Sequence, residues 1–275
     1  MSHNQSASAV EYLATLRAMG RRPSTLEQYR YVLQQLSDWR NVNTSSDIAD
    51  LTRIEALAFT RHLTDTYKPG GVASRLKALR GFYSWCVREE IRSDNPFRGL
   101  TINVPDDPQP TATEDEITAM LDHARGHKRD LALLTILADT GCRKGEIAAL
   151  EVRDIDLSGG TVTFRVSKTK PRTVPLTDRA VIALGRYLRV RVDHTASLWC
   201  VTDPYSLIRA AVRRHGNGLT PHTLRRAFAV SWLARGGSET SLMRICGWSS
   251  RDMIAIYVRA SADTLAADEF RRLMA

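Results

Sequence analysis

The chain has no apolar run of membrane length: its longest central stretch without a formal charge, residues 131–138, falls far short of the roughly 20 residues a bilayer span requires. A membrane-spanning protein is excluded on that ground. The first 20 residues hold no basic stretch followed by an apolar block, so no signal peptide is read. Cysteine is scarce. Cys86, Cys142, Cys200 and Cys246 each lie more than 40 residues from the next, with no CxxC pair and no histidine cluster beside them. This excludes a disulfide framework, argues against a zinc site and places the chain in a reducing cytoplasm. No phosphate-binding Walker loop, internal repeat or low-complexity segment occurs. Lysine is scarce too, because 33 of the 39 cations are arginine. GC-rich coding explains such a bias, and so does a bidentate grip on phosphate oxygens.

What is present is ample for folding. The 275 residues are nearly twice a typical domain of about 150, which favours two domains. With 43% hydrophobic and 25% charged residues, the chain carries too much apolar surface to be disordered. A net charge of +9 makes a polyanionic partner plausible, and +7 of it lies beyond residue 107. The segment 104–112, VPDDPQPTA, places three prolines in six positions and reads as a linker between domains at 1–103 and 113–275.

The first domain reads as four or five helices without a strand. Capping boxes begin at Ser24 and Thr52, and apolar stripes run through Val10, Leu13 and Leu16, through Leu26, Tyr29, Leu33 and Leu36, and through Val72, Leu76, Leu79, Tyr83 and Cys86. Past the linker, Thr113 opens another capping box and a buried-looking helix ends at Gly141. Residues 155–176 alternate β-branched and polar side chains around turn signals at 158–160 and at Lys170-Pro171, which predicts a small antiparallel sheet. The expected class is mainly α with that sheet, an α+β chain.

Chemistry concentrates in this second part. Arg143 follows the Gly141 helix stop and precedes Glu146 by one turn, aligning a guanidinium with a carboxylate. Thr220 is a good N-cap and Pro221 a good first residue, which puts His222 and Arg225 on one face of a first helical turn. Cations there oppose the helix dipole, so Arg225 and Arg226 make sense if an anion occupies that end. Cys246-Gly247-Trp248-Ser249-Ser250 reads as a turn into a serine-capped helix that carries Tyr257. Taken singly, each has a plain structural explanation: a surface ion pair, a structural histidine, core aromatics.

Taken together and in this order, TGxRxxE, a hairpin lysine, HxxR, a Gly-Trp turn and a tyrosine nine residues later resemble the tyrosine recombinase or phage integrase family. The resemblance spans nearly the whole chain, with 1–103 similar to the core-site DNA-binding domain and 113–275 to the catalytic domain with its tail helix. It implies catalytic roles for Arg143 and Arg225 on the scissile phosphate, Glu146 as their acidic support, His222 as the first histidine and Tyr257 as nucleophile. Trp248 stands where most members have a second histidine; its indole donates a hydrogen bond but cannot shuttle a proton. Lys168 matches the hairpin lysine, with Lys170 close enough to remain an alternative.

The resemblance further implies double-stranded DNA attachment sites as partner, a 3′-phosphotyrosyl intermediate, a four-way junction, and a tetramer on DNA that is a monomer or weak oligomer when free. It implies a cytoplasmic, nucleoid-associated enzyme in the two-domain form, without an arm-binding domain. No cofactor or metal is expected, since a phosphotyrosine preserves the bond energy and the acidic residues near the motifs are isolated. The apolar positions Ala262, Ala266, Phe270, Leu273 and Met274 share one helical face, which either packs in cis or docks on a neighbouring copy. A non-catalytic DNA-binding regulator and a topoisomerase-like or telomere-resolving strand transferase are the rival functions.

Overall fold

A computed structural model of the chain describes residues 6–41, 47–105, 110–166, 170–192 and 195–274. It divides into two compact units, 1–107 and 108–275. Among the described residues no helix is long and apolar enough to cross a membrane.

The first unit contains α1 (Ala7–Ala18), α2 (Pro23–Asn41), a 3₁₀ turn (Ile48–Asp50), α3 (Arg53–Thr66) and α4 (Pro69–Arg88). Thr52 opens α3 with both halves of a capping box, satisfying two otherwise unpaired backbone donors. The Ser24 box does not form. Pro23 already occupies the start of α2, where its fixed φ and missing N–H suit the first turn, so Ser24 lies inside the helix. In α1 the buried face is Ala9, Tyr12, Leu13 and Leu16, while Val10 is exposed. Steps of three alone drift around a helix with 3.6 residues per turn, and the observed i, i+3, i+4, i+7 spacing keeps one face. Val72, Leu76, Leu79, Tyr83 and Cys86 on α4 are wholly buried at the centre of this core.

The second unit runs α5 (Glu114–His123), α6 (Lys128–Thr140), the short α7 (Lys144–Ala148), β1 (Ile155–Asp156), β2 (Thr161–Phe164), β3 (Arg172–Pro175), α8 (Asp178–Leu188), α9 (Pro204–His215), α10 (Pro221–Ala234), α11 (Glu239–Cys246), α12 (Asp252–Val258) and α13 (Ala262–Met274). Apolar nearly all round, α6 is the central post, with Ala132, Leu133, Leu134, Ile136 and Leu137 buried against α8, α9 and α10. The three strands are antiparallel in the order β1-β2-β3, with Val162 opposite Val174 and Phe164 opposite Arg172. Val162, Phe164 and Val174 turn their side chains into the core.

Candidate active site

Two helix ends build the site. The first is at Gly141, where α6 stops in a left-handed turn with φ of 55°. A side chain is excluded there twice over, by that φ and by the Phe228 ring, whose nearest atom would lie 2.6 Å from an added Cβ. The second is at Gly247, which ends α11 with φ of 63°. The last carbonyls of an α-helix have no partner within the helix and sit at the negative end of its dipole, which favours cations.

Arginines occupy both ends. Arg225, 1% exposed, donates through Nη1 to the Gly141 carbonyl and through Nη2 to that of Cys246, the latter at 2.8 Å. Arg143 Nη2 donates to the Gly247 carbonyl at 3.0 Å and its Nη1 reaches Cys246 O at 3.4 Å. Arg172 Nε donates to Ile245 O at 2.6 Å. Three consecutive carbonyls, of residues 245, 246 and 247, are thus each taken by a guanidinium. Burying a guanidinium costs several kcal/mol unless it is compensated. Here carbonyl dipoles compensate Arg225, with the Trp248 and Tyr257 rings at 5.1 and 5.5 Å from its central carbon. The anion expected at the N-terminus of α10 is therefore not what balances Arg225, because its side chain reaches across to two other helices.

Glu146, almost wholly buried, is the carboxylate in this set. It accepts Arg143 Nη1 at 3.0 Å and the Arg143 backbone N–H at 2.8 Å, as the one-turn spacing predicts. It also accepts both Nη atoms of Arg172, at 2.9 and 2.8 Å. Arg143 and Arg172 divide this carboxylate and Arg225 binds none, so among the described residues the hydrogen-bonded set of three guanidiniums and one carboxylate carries two formal positive charges in excess. The neighbouring thiols do not offset this, because burial pushes Cys142 up to about 12 and Cys246 up to about 11.

Tyr257 lies on α12, half-buried, its ring 4.9 Å from that of Trp248 and 6.0 Å from the guanidinium carbon of Arg226. Trp248 Nε1 and Arg225 Nε are buried donors without a hydrogen-bond partner among the described residues. The structure thus gathers Arg143, Glu146, Arg225, Trp248 and Tyr257. His222 is exposed on the first turn of α10, which Thr220 caps and Pro221 begins. The serine cap before Tyr257 does not form; α12 starts after Arg251, without a side-chain cap. Lys168 lies outside the described residues, and Lys170 is exposed just before β3.

Arg172 escaped the reading by motif. Its signal was strand periodicity: residues 172 and 174 share a face, and an arginine two places before the buried Val174 needs an explanation.

The sequence pattern of the phage integrase family matches residues 110–263, more than half of the chain, and that of the phage integrase N-terminal SAM-like domain matches residues 9–90. Tyrosine recombinase XerD of Xanthomonas axonopodis pv. citri is 30% identical over 265 residues, 85% of this chain and 86% of that protein. Two solved structures share the fold. A lambda integrase dimer bound to a COC′ core site has a TM-score of 0.73 at 18% identity, covering 91% of this chain and 76% of that one. A lambda integrase tetramer bound to a Holliday junction has a TM-score of 0.72 at 18% identity, covering 89% and 77%. The chain belongs to the phage integrase family and is a tyrosine-type site-specific recombinase.

Proposed function

We propose that this recombinase binds double-stranded DNA attachment sites, residues 1–103 contacting the core site and residues 113–275 carrying out strand exchange through Tyr257. One observation carries the reading: the tyrosine ring lies against an arginine cluster whose charge exceeds its carboxylate, beside two buried N–H donors that have no partner among the described residues. A phosphodiester supplies anionic oxygens for such donors.

The Tyr257 hydroxyl oxygen attacks the scissile phosphorus as its proton passes to water. The new P–O bond replaces the bond to the 5′-oxygen, which leaves as a hydroxyl after taking a proton. Arg143 and Arg225 face the charge that grows on the non-bridging oxygens; carbonyls hold Arg225 without cancelling its charge, and Arg143 shares its one carboxylate with Arg172. Trp248 adds an N–H donor, and His222 reaches the same phosphate from the first turn of α10. Lys168, with Lys170 as the alternative on the same hairpin, gives the proton to the leaving oxygen. The product is a 3′-phosphotyrosine and a free 5′-hydroxyl. Attack by the 5′-hydroxyl of a partner duplex reverses the chemistry, releases Tyr257 and, after two rounds through a four-way junction, exchanges both strands. The relay conserves bond energy and needs neither ATP nor metal.

Strand exchange between duplexes calls for a tetramer on DNA, assembled from monomers or weak oligomers. The surface of α13 supports docking in trans: Leu265 packs beside the Tyr257 helix, whereas Phe270, Leu273 and Met274 stay exposed.

The test uses a nicked duplex carrying a binding site selected from a randomised DNA pool. Wild type accumulates a covalent adduct, and Tyr257→Phe binds equally well and makes none. An adduct from that variant would move the nucleophile elsewhere; none from the wild type would favour the non-catalytic regulator.

A further inference from the structure

Arg172 is more than a buried ion-pair partner. It is the first residue of β3, and its cross-strand neighbour Phe164 lies 4.8 Å below its guanidinium carbon. From that base the side chain spends its Nη atoms on Glu146 as a two-pronged fork and its Nε on Ile245 O. The fork fixes both carboxylate oxygens in one plane. Oε1 of that carboxylate also receives Arg143 Nη1, and the carbonyl next to Ile245 receives both Arg143 and Arg225. Arg172 therefore joins the β-hairpin, the Arg143 turn and the end of α11 that leads to Trp248.

We infer that Arg172 is a positioning residue: it sets the Glu146 carboxylate, and through it aims Arg143 at the scissile phosphate while tying the lysine-bearing hairpin to the arginine cluster. The inference rests on the recombinase mechanism above. Its physical basis is geometric. Without the fork, the nearly buried Glu146 carboxylate loses two of its hydrogen bonds and turns further toward Arg143, drawing that guanidinium out of line and offsetting more of its charge. Lysine cannot replace the fork, because an ammonium is a point donor on a flexible stem.

The experiment measures single-turnover adduct formation on the same nicked duplex at saturating protein, together with binding affinity and thermal unfolding. Arg172→Gln and Arg172→Lys should both slow cleavage by roughly a hundredfold, the scale of losing reactant alignment. Affinity should stay within about twofold, since binding is spread over many phosphates. Two combinations separate positioning from simple support. In an Arg143→Ala background, Arg172→Gln should cost little further rate, because the residue it aims is gone. Arg172→Gln combined with Glu146→Gln should unfold at a higher temperature than Arg172→Gln alone, because it removes a buried charge that has lost its two Arg172 hydrogen bonds. Full activity in Arg172→Lys, or the same loss with and without Arg143, would overturn the inference while leaving the recombinase mechanism intact. No adduct from the wild type would overturn the mechanism and the inference with it.

Discussion

Each unit buries an arginine, and the two are compensated in different ways. In the first, Arg40 pairs with Glu55 at 3.2 Å and donates to the Asp47 carbonyl, so its charge is matched by a carboxylate and it ties α2 to the start of α3. In the second, Arg225 meets, among the described residues, only carbonyls and aromatic faces, and Arg143 and Arg172 divide one carboxylate between them. A carboxylate holds a guanidinium and cancels it; carbonyls hold it and leave the charge standing. Burial of a cation thus neutralises its charge in one unit and preserves it in the other, as the proposed phosphate chemistry requires.

The contrast breaks most visibly at Arg225. Arg225→Ala should slow adduct formation by about a hundredfold or more, as loss of a fixed oxyanion donor does, while weakening DNA binding far less. Quench-flow cleavage beside a gel-shift titration checks it; unchanged cleavage at saturating protein would move Arg225 to the binding surface. Arg40→Met should do the reverse, costing about 1–3 kcal/mol of stability in urea unfolding through an unpaired partner, with cleavage by folded protein unchanged.

A third test sharpens the comparison at the surface. Unlike the apolar face of α4, that of α13 is left outside. Deleting residues 262–275 should preserve single-site binding and first-strand cleavage but abolish cooperative occupancy of paired sites in a gel shift. Unchanged cooperativity with a lower melting temperature would instead mean that the helix packs in cis.

The smallest effect concerns the thiols beside the arginines. Both are raised by burial from an ordinary value of 9.0, Cys246 to about 11 and Cys142 to about 12. Below pH 9 the thiols are neutral in the folded and the unfolded chain, and their contribution is fully present. Above it the unfolded chain ionises first, so stability declines as pH rises through the folded values. Melting temperatures measured from pH 8 to 11 should fall less steeply in Cys142→Ala than in the wild type.

Much of this was legible in the chain itself. The Thr52 and Thr113 capping boxes, the Gly141 helix stop and the antiparallel hairpins follow from local rules, and all formed. The one-turn link between Arg143 and Glu146 was equally local. Where two local signals competed, reading by motif erred: Pro23 started α2 ahead of the Ser24 box, and Arg251 rather than a serine preceded α12.

By itself the sequence determined which residue types were available and in what order, because capping, turn chemistry and periodicity act over a few residues. Only the tertiary structure decided what holds the arginines. The carbonyls of residues 245, 246 and 247 belong to every sequence, and nothing in their side chains announces that they gather Arg143, Arg172 and Arg225 from as far as 104 residues away. Backbone groups become specific ligands only when a helix ends in the right place, and that place is set by packing between distant elements.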